Sequence, residues 1–358
     1  MLHTLPRTLA LSLGLAALCF ATAGSAQQTT TPSAAAAGGH AAVSPADIVV
    51  GSGNYSPMVQ DLDKAIEFYS LLGLTIPPAA TPGPRPVSTD PALLDMFGVP
   101  GAQLRFLTAR IPGAPFGVEM VEVRGRDKKA IRPRLQDPGN ATLILMVRDL
   151  EAALAPLKKA GVPIVSPGGK PIALGKVQSS VMVADPDGHY VEVRQPNPLP
   201  PTTAPADSNV IGARIRFTVA NTAETMRFYR DTLHLQPLVG EFSNAPMLEL
   251  LGLKGAQVKV TTIAFPQSEI LVGFLEFKGL ASTPVRPALP DSGATRLQVR
   301  VKDLDATIAA LKAVGSRVVS AGGVPASLNG GTRAAIMPDP NGIYLVLIQA
   351  PPPRQSTQ

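Results

Sequence analysis

The sequence predicts an α+β protein of two tandem domains, chiefly because it contains an internal repeat. Five short motifs of the N-terminal half recur in the C-terminal half, the first at an offset of 160 residues and the other four at 154. The pairs are Met58–Tyr69 with Thr218–Tyr229, Gly98–Gln103 with Gly252–Gln257, Arg132–Pro133 with Arg286–Pro287, Val147–Leu150 with Val301–Leu304, and Asp185–Gly188 with Asp339–Gly342. Similarity at a fixed period is typical of a duplicated structural unit. We therefore predict domains over 46–197 and 209–350, joined by a Pro-rich linker at 198–208.

Each predicted domain divides into two similar units of one strand, one helix and about three strands. A strand-like segment precedes each helix, which begins at an aspartate or asparagine able to cap its N-terminus. The four capping residues are Asp61, Asp149, Asn221 and Asp303. Leucines recur at helical spacing after Asp149, and Gly161 suits the position just past that helix. Asn221 and Glu224 have the spacing of a capping box.

Segments rich in β-forming residues follow the helices, for example Gln103–Ile111, 177–184 and Gln257–Ile263. The six-residue difference between the two offsets falls in a Pro-rich stretch after Leu74. Loops tolerate insertions of this kind. We expect the two copies to superpose and to differ chiefly near residues 75–92.

The N-terminus has the layout of a cleavable secretory signal. Arg7 precedes the apolar stretch 9–21, and small residues lead to Ala26, after which we predict cleavage. The single cysteine, Cys19, lies within this stretch, so no disulfide is expected in the mature chain. Residues 27–45 are predicted to be a disordered spacer and 351–358 a disordered tail. Since no other apolar run approaches about 20 residues, we expect no membrane span and a periplasmic or extracellular location.

The charge distribution favours a small anionic molecule as the partner. The net charge is +6; residues 27–208 carry 16 Lys+Arg and 16 Asp+Glu, whereas residues 209–358 carry 15 and 10. A basic half can bind nucleic acid, but the chain has no Trp and only 4% aromatic residues on which bases could stack. We therefore expect no nucleic-acid partner. The oligomeric state stays open.

Four such units resemble the vicinal oxygen chelate superfamily, which includes glyoxalase I, extradiol dioxygenases, bleomycin- and fosfomycin-resistance proteins and methylmalonyl-CoA epimerase. The resemblance also rests on the Val-Gln-Asp-Leu-Asp helix start at 59–63 and the closing segment Asp185–Glu192, and it covers nearly all of both predicted domains. It implies that two units curl into one cup-like mixed sheet that holds a ligand, often with a divalent metal. Whether units pair within a copy or across a dimer stays open.

The resemblance also marks the positions of the superfamily's metal ligands. In copy one these positions carry Asn54, Glu119, Thr142 and Glu192. In copy two they carry Arg214, Gly273, Arg296 and Val346. Oxygen ligands suit a hard cation, so weak binding of a divalent ion by Glu119 and Glu192 stays open, but the lack of histidine argues against an iron, nickel or zinc site. No cation is expected in copy two, and no cofactor is predicted.

Copy two has the more informative polar residues. Residues two apart in a strand share a face, which groups Arg214 with Arg216, and Arg296 with Gln298 and Arg300. With the geometry that the resemblance implies, both groups look into the same cup. Clustered guanidinium groups repel one another unless carboxylates or an anionic ligand balance them, and the guanidinium shape suits carboxylate or phosphate. We expect an anion here; a solvated face or an interface with copy one is the alternative.

Copy one is expected to line its cup with mostly neutral side chains. These are Asn54, Ser56, Met58, Thr142, Ile144 and Met146. Glu119 and Glu192 are the only charges, and a buried carboxylate with a raised pKa could act as a general base, which makes both candidate catalytic residues. A salt-bridged structural role is the alternative for Glu192. Of the histidines, His189 is assigned to a hairpin turn and His234 to an exposed helix end.

Two classes of function therefore remain open. The first is an exported binding protein, or a superfamily member without the usual metal, that captures a small anionic organic molecule. The second is a metal-assisted lyase, isomerase or epimerase that uses Glu119 and Glu192. Any catalysis is expected to be glyoxalase-like rather than extradiol dioxygenation, because imidazole ligands are absent from the predicted metal positions.

Overall fold

The chain forms four units, each with a main helix between its first strand and its later strands. The computed structural model describes residues 48–78, 85–174, 178–268 and 270–351. All of them belong to one compact unit, residues 40–358. The predicted signal and spacer lie outside the described residues, as does the predicted tail after Pro351.

The elements of the four units follow in chain order. Unit one contains β1 (Val49–Val59), α1 (Leu62–Leu71), α2 (Pro91–Met96), β2 (Gln103–Arg110) and β3 (Gly117–Arg124). Unit two contains β4 (Ala141–Val147), α3 (Leu150–Lys159), β5 (Ile172–Ala173), β6 (Gln178–Ala184) and β7 (Tyr190–Pro196). Unit three contains β8 (Val210–Thr218), α4 (Thr222–Met226), β9 (Pro237–Val239), α5 (Met247–Leu250), β10 (Gln257–Ala264) and β11 (Leu271–Lys278). Unit four contains β12 (Thr295–Val301), α6 (Leu304–Ala313), β13 (Ala326–Ser327), β14 (Arg333–Pro338) and β15 (Tyr344–Gln349).

The helix boundaries follow the predicted capping residues. The side chain of Asp149 accepts a hydrogen bond from the N–H of Ala152 at the start of α3, and Gly161 after this helix has a φ of 71°. The Asn221 side chain likewise accepts the N–H of Glu224 at 3.0 Å. A π-helical turn over 227–232 extends α4. The strands predicted after the helices are confirmed as β2, β6 and β10.

The four units pair across the sequence repeat. Units one and four form a seven-stranded first sheet, in the order β13-β14-β15-β12-β1-β3-β2. Units two and three form an eight-stranded second sheet, in the order β5-β6-β7-β4-β8-β11-β10-β9. β1 runs antiparallel to β12, and β4 antiparallel to β8. Each sheet is curled into a half-barrel. The pairing that the sequence left open is therefore an exchange of units between the two copies.

Each sheet has one face on the helices and one opposite face. The helix-facing side chains of all four units form one continuous apolar core, which includes Tyr55, Leu143, Phe217 and Leu297. Because side chains alternate along a strand, the predicted polar residues lie on the opposite faces. We call these the first cup, on the first sheet, and the second cup, on the second sheet. No helix in the described part of the chain is long and apolar enough to cross a membrane.

A buried tyrosine–aspartate pair joins the two units of each copy. Tyr69 Oη donates a hydrogen bond to Asp185 at 3.5 Å, and Tyr229 Oη donates one to Asp339 at 3.1 Å. Both aspartates also accept backbone N–H groups of their own hairpin turns. The sheets thus connect the copies to each other, whereas these turns connect the units within a copy.

The two histidines of the predicted domains have different surroundings. His189 lies in the first of these turns and is buried, with its Nε2 at 2.9 Å from the carbonyl oxygen of Met58 in unit one. His234 is exposed after the helix of unit three, with a φ of 57°. Both sequence interpretations are confirmed, and the turn around His189 additionally docks one unit on the other.

The buried Asp339 makes stability depend on pH. Burial raises its pKa to about 6, and the hydrogen bonds that it accepts only partly oppose this rise; in the unfolded chain the pKa is about 3.9. The resulting stabilisation is fully present below about pH 4 and is lost as the pH rises through 6. The Asp339→Asn variant lacks this titration. Between pH 4 and 7, the unfolding free energy of the variant should therefore rise relative to that of wild type by about 2 kcal/mol.

Urea unfolding at the two pH values measures this change. Asp207 lies exposed in the linker between the copies, and Asp207→Asn should show no comparable shift. A difference between Asp339→Asn and wild type that is the same at pH 4 and pH 7 would contradict the assignment.

Candidate functional site

A fully buried carboxylate stands at the centre of the second cup. Glu192, on β7, is 0% exposed. Its Oε2 lies 2.8 Å from Nη1 of Arg216 on β8, and its Oε1 lies 2.6 Å from Nη2 of Arg194 on its own strand. Ser180 Oγ on β6 also donates to Oε1, at 3.1 Å. Two guanidinium groups and a hydroxyl therefore hold this carboxylate in place.

These partners determine the protonation state of Glu192. Burial alone would raise its pKa, but Arg216 and Arg194 together outweigh burial and lower the pKa below its usual value. The expected raised pKa is therefore wrong, and the predicted role as a general base loses that support. It is ionised at neutral pH, and both of its oxygens already have cationic partners.

The second cup carries more positive than negative charge. The strands β7 and β8 carry three arginines on this face, Arg194, Arg214 and Arg216, and one carboxylate, Glu192. Two of the three positive charges are therefore not balanced by this carboxylate. Arg214 is exposed and forms no ion pair with any described residue. Its partial burial and then the neighbouring Arg194 lower its pKa. Like charges held this close favour an anion between them.

The short helix α5 covers part of the second cup. Met247 Sδ lies 3.2 Å from Nη1 of Arg216, and the leucines of α5 pack on Met182 and Leu275 of the sheet. A cavity of about 460 Å³ lies beside this segment. Its lining consists of Asn244, Ala245, Leu248, Glu249, Lys254, Gly255 and Ala256. None of the predicted site residues lines this cavity, so it is separate from the charged cluster.

The first cup holds a different ion pair. Arg296 on β12 is 1% exposed, and its Nη2 lies 3.4 Å from Oε2 of Glu119 on β3. Ser56 Oγ on β1 donates to the same oxygen at 3.0 Å. The ring of Phe97, just after α2, lies 4.8 Å from the guanidinium carbon of Arg296. The predicted residues Ser56, Glu119 and Arg296 thus meet, under an aromatic cover.

Other predicted residues of the first cup bind the backbone. Asn54 Oδ1 accepts the N–H of Gly117 at 2.9 Å, and Gln298 Oε1 accepts the N–H of Asn54 at 3.1 Å. Arg300 lies so close to Gly51 that a methyl group added there would come within 2.9 Å of its Nε. These contacts tie strands together, and they leave Asn54 and Gln298 with structural roles.

The sequence predicted that the arginines share one cup, and this prediction is wrong. The arginines are divided between the two cups. Arg214 and Arg216 lie on β8 in the second sheet, opposite Ile144 and Thr142, whereas Arg296 lies on β12 in the first sheet, opposite Ser56. The error arises from the pairing of units, which places the two halves of copy two on different sheets. Their assignment to polar faces by alternation is correct.

Comparison with known proteins gives the family. The model of the Glyoxalase/Bleomycin resistance protein/Dioxygenase superfamily matches residues 54–193. Residues 54–193, which lie in units one and two, therefore carry a domain of this superfamily. The resemblance inferred from the sequence is thereby confirmed. No curated protein sequence matches the chain.

Solved structures of similar fold cover most of the chain. A glyoxalase I variant from Zea mays is 17% identical and has a TM-score of 0.53, with 85% of this chain and 94% of that chain covered. A second variant of that enzyme is 18% identical, with a TM-score of 0.55 and coverage of 85% and 93%. A proposed dioxygenase from Bacillus subtilis is 14% identical, with a TM-score of 0.53 and coverage of 86% and 87%. Identities this low show a common fold alone.

The residues at the superfamily's metal positions do not fit a divalent ion. The first cup brings together Asn54, Glu119, Arg296 and Val346. The second cup brings together Thr142, Glu192, Arg214 and Gly273. Each cup has one carboxylate, paired with an arginine that would repel a cation. No group of three or more His, Cys, Asp or Glu that could hold a metal occurs among the described residues. The expected joint use of Glu119 and Glu192 fails because they lie on different sheets.

The sequence reasoning missed residues of two kinds. Arg194 and Ser180 hold Glu192, and Arg194 could have been found because it lies two positions after Glu192 and so shares its face. Phe97, just after α2, and Met247, in α5, contact the arginines; both short helices lie between a main helix and a strand. No periodic pattern predicts where such an inserted segment packs.

Proposed function

We propose that this superfamily member binds a small anionic organic molecule through guanidinium groups in its cups, without a histidine-containing metal site. The excess positive charge of the second cup supports an anion as the ligand. We extend the proposal to export, for which the signal-like pattern of residues 1–26 is the support.

The observation that carries the proposal is a set of buried guanidinium nitrogens that make no hydrogen bond. Among the described residues, Nη2 of Arg216 and both Nε and Nη2 of Arg296 make no hydrogen bond. Arg105 offers the comparison: it is equally buried, but its nitrogens donate to both Glu122 and Asp63 at 2.9 Å. An unsatisfied buried donor costs about 1–3 kcal/mol. A carboxylate or phosphate is the kind of ligand that would satisfy such donors.

Glyoxalase-like lyase or isomerase chemistry has less support. A general base needs a carboxylate free to take a proton, and Glu192 has a lowered pKa and two arginine partners. Glu119 is bonded to Ser56 and paired with Arg296 in the other cup. The metal-assisted alternative required both carboxylates in one site, which the sheet pairing does not provide.

Arg214 is the residue whose loss should test binding without disturbing the fold. It is exposed and has no ion pair among the described residues, so Arg214→Ala should leave the melting temperature of the free protein nearly unchanged. A charge-assisted contact contributes about 1.5–3 kcal/mol, so affinity for an organic anion should fall roughly ten- to a hundredfold. Thermal-shift screening of organic carboxylates and phosphates, followed by calorimetric titration, gives both quantities.

The ligand control is the uncharged amide of each acid that binds. The protein control is Arg227→Ala, which removes an exposed arginine just beyond α4. Equal binding of acid and amide would contradict the anionic ligand. Tightly bound stoichiometric metal, whose removal abolishes binding, would contradict the absence of a metal site.

A further inference from the structure

One pair of matched positions, Glu119 in the first cup and Gly273 in the second, differs in a way that affects binding. Glu119 and Gly273 are separated by the same 154 residues as the sequence repeats, and each lies on the strand parallel to the first strand of its unit. In the first cup this position carries the carboxylate that pairs with Arg296. In the second cup it carries no side chain, directly beside Arg216. The second sheet therefore has a gap where the first has an ion pair.

Nothing in the surrounding structure requires glycine at position 273. A Cβ added there would meet Arg216 Cγ at 3.7 Å and the carbonyl oxygen of Ile215 at 3.9 Å, which are ordinary van der Waals distances. Its φ also lies outside the range that favours glycine. Glycine in a strand weakens the strand and often marks a place where a ligand approaches the backbone. The missing side chain thus leaves space for at least a methyl group beside Arg216.

The gap continues as a row of small and apolar residues across neighbouring strands. Leu238 on β9 pairs with Thr262 on β10, which pairs with Gly273 on β11, which pairs with Arg216 on β8. Paired residues share a face, and three strand spacings span about 14 Å. Leu238, at the far end, is 78% exposed, and Val260 on the same face is 38% exposed. One end of the row is apolar and open, and the other end is cationic.

We propose that this row is the floor of a groove for an amphipathic carboxylate. The carboxylate binds Arg214 and the free Nη2 of Arg216, and the apolar part lies over Gly273 and Thr262 against Leu238. This rests on the proposed function and narrows it to one cup and one ligand class. The first cup is unsuited to such a ligand, because Glu119 fills the corresponding gap and Phe97 covers Arg296.

Calorimetric titration with octanoate, acetate and 1-octanol tests the groove. Octanoate should bind more tightly than either of the others, because only octanoate has both a charge and an apolar chain. Affinity should rise up to about fourfold for each methylene added between acetate and octanoate.

Gly273→Leu fills the gap and should weaken octanoate binding at least about tenfold, with the melting temperature showing that the variant folds. Leu238→Asp should remove the dependence on chain length while acetate binding is retained.

Matched controls come from outside the second cup. Gly322→Leu alters an exposed loop glycine without a positive φ, and Val314→Asp alters an apolar residue that is 55% exposed after α6. Neither should affect octanoate binding. If anions bind with no effect of chain length or of Gly273→Leu, the groove is wrong and the proposed function stands. If neither octanoate nor acetate binds, the groove is overturned, and the proposed function is overturned as well if no other carboxylate or phosphate of the screen binds.

Discussion

Replacing Arg216 with methionine is expected to lower the free energy of unfolding by about 3 kcal/mol at neutral pH. Removing one partner of a buried ion pair typically costs about 3–5 kcal/mol, because the other charge stays buried. Glu192 is 0% exposed and keeps Arg194 at 2.6 Å, which places the effect at the lower end. Urea unfolding measures this loss.

The pH dependence identifies Glu192 as the cause of this loss. In wild type its pKa is lowered, so its stabilising contribution is present above the ordinary carboxyl pKa of about 4.3 and is lost as the pH falls through the folded value. Without Arg216 the same carboxyl can take a proton in acid, and the difference between variant and wild type should shrink at low pH. The double variant Arg216→Met/Glu192→Leu should regain most of the lost stability.

An exposed pair provides the control for this experiment. Arg230 lies 2.6 Å from Asp231 with about half of each side chain exposed, and Arg230→Met should change stability far less than Arg216→Met because solvent screens the exposed pair. An equally small loss in Arg216→Met would mean that the buried pair has no structural importance.

Removing both charges from the first cup is expected to stabilise the protein. In the double variant Arg296→Met/Glu119→Leu, apolar side chains replace a carboxylate and a buried arginine. Two nitrogens of this arginine make no hydrogen bond, and one of the two lies 3.4 Å from the carboxylate. Replacing a buried ion pair by apolar residues of similar volume is often neutral or stabilising by about 1–4 kcal/mol. We expect a gain of about 2 kcal/mol, measured by urea unfolding.

The single variant Arg296→Met is the matched comparison, and it should be less stable than the double variant because Glu119 keeps its charge without its partner. A loss of more than about 2 kcal/mol in the double variant would show that the pair stabilises the fold. A gain would show that the chain retains an unfavourable pair, which agrees with a role in binding.

The local fold was predictable because its signals are local. Alternation assigned Arg214 and Arg216 to one face of β8, and the capping residues Asp149 and Asn221 gave two helix starts. The pairing of units was not predictable, since all four units have the same local pattern. Which strand lies beside β1 depends on contacts between units far apart in the sequence.

The candidate site depended on that pairing, and so its members were only partly predicted. Ser56, Glu119 and Arg296 were identified, but their meeting required units one and four to share a sheet. Glu192 and Arg216 were also identified, yet the direction of the Glu192 pKa shift followed from its contact with Arg216. A sequence lists charged residues, whereas their protonation depends on which of them are neighbours.

The exchange of units also sets the order in which the protein can be completed during synthesis. The second sheet lies entirely between the two halves of the first in the sequence, and the hydrogen bond from the N–H of Asn54 to Gln298 spans 244 residues. Contacts this distant require a long loop to close before they contribute any stability. Translation supplies units two and three before unit four exists. The strands of unit one are therefore synthesised first, and the edge of β1 that pairs with β12 stays unpaired until unit four has been synthesised.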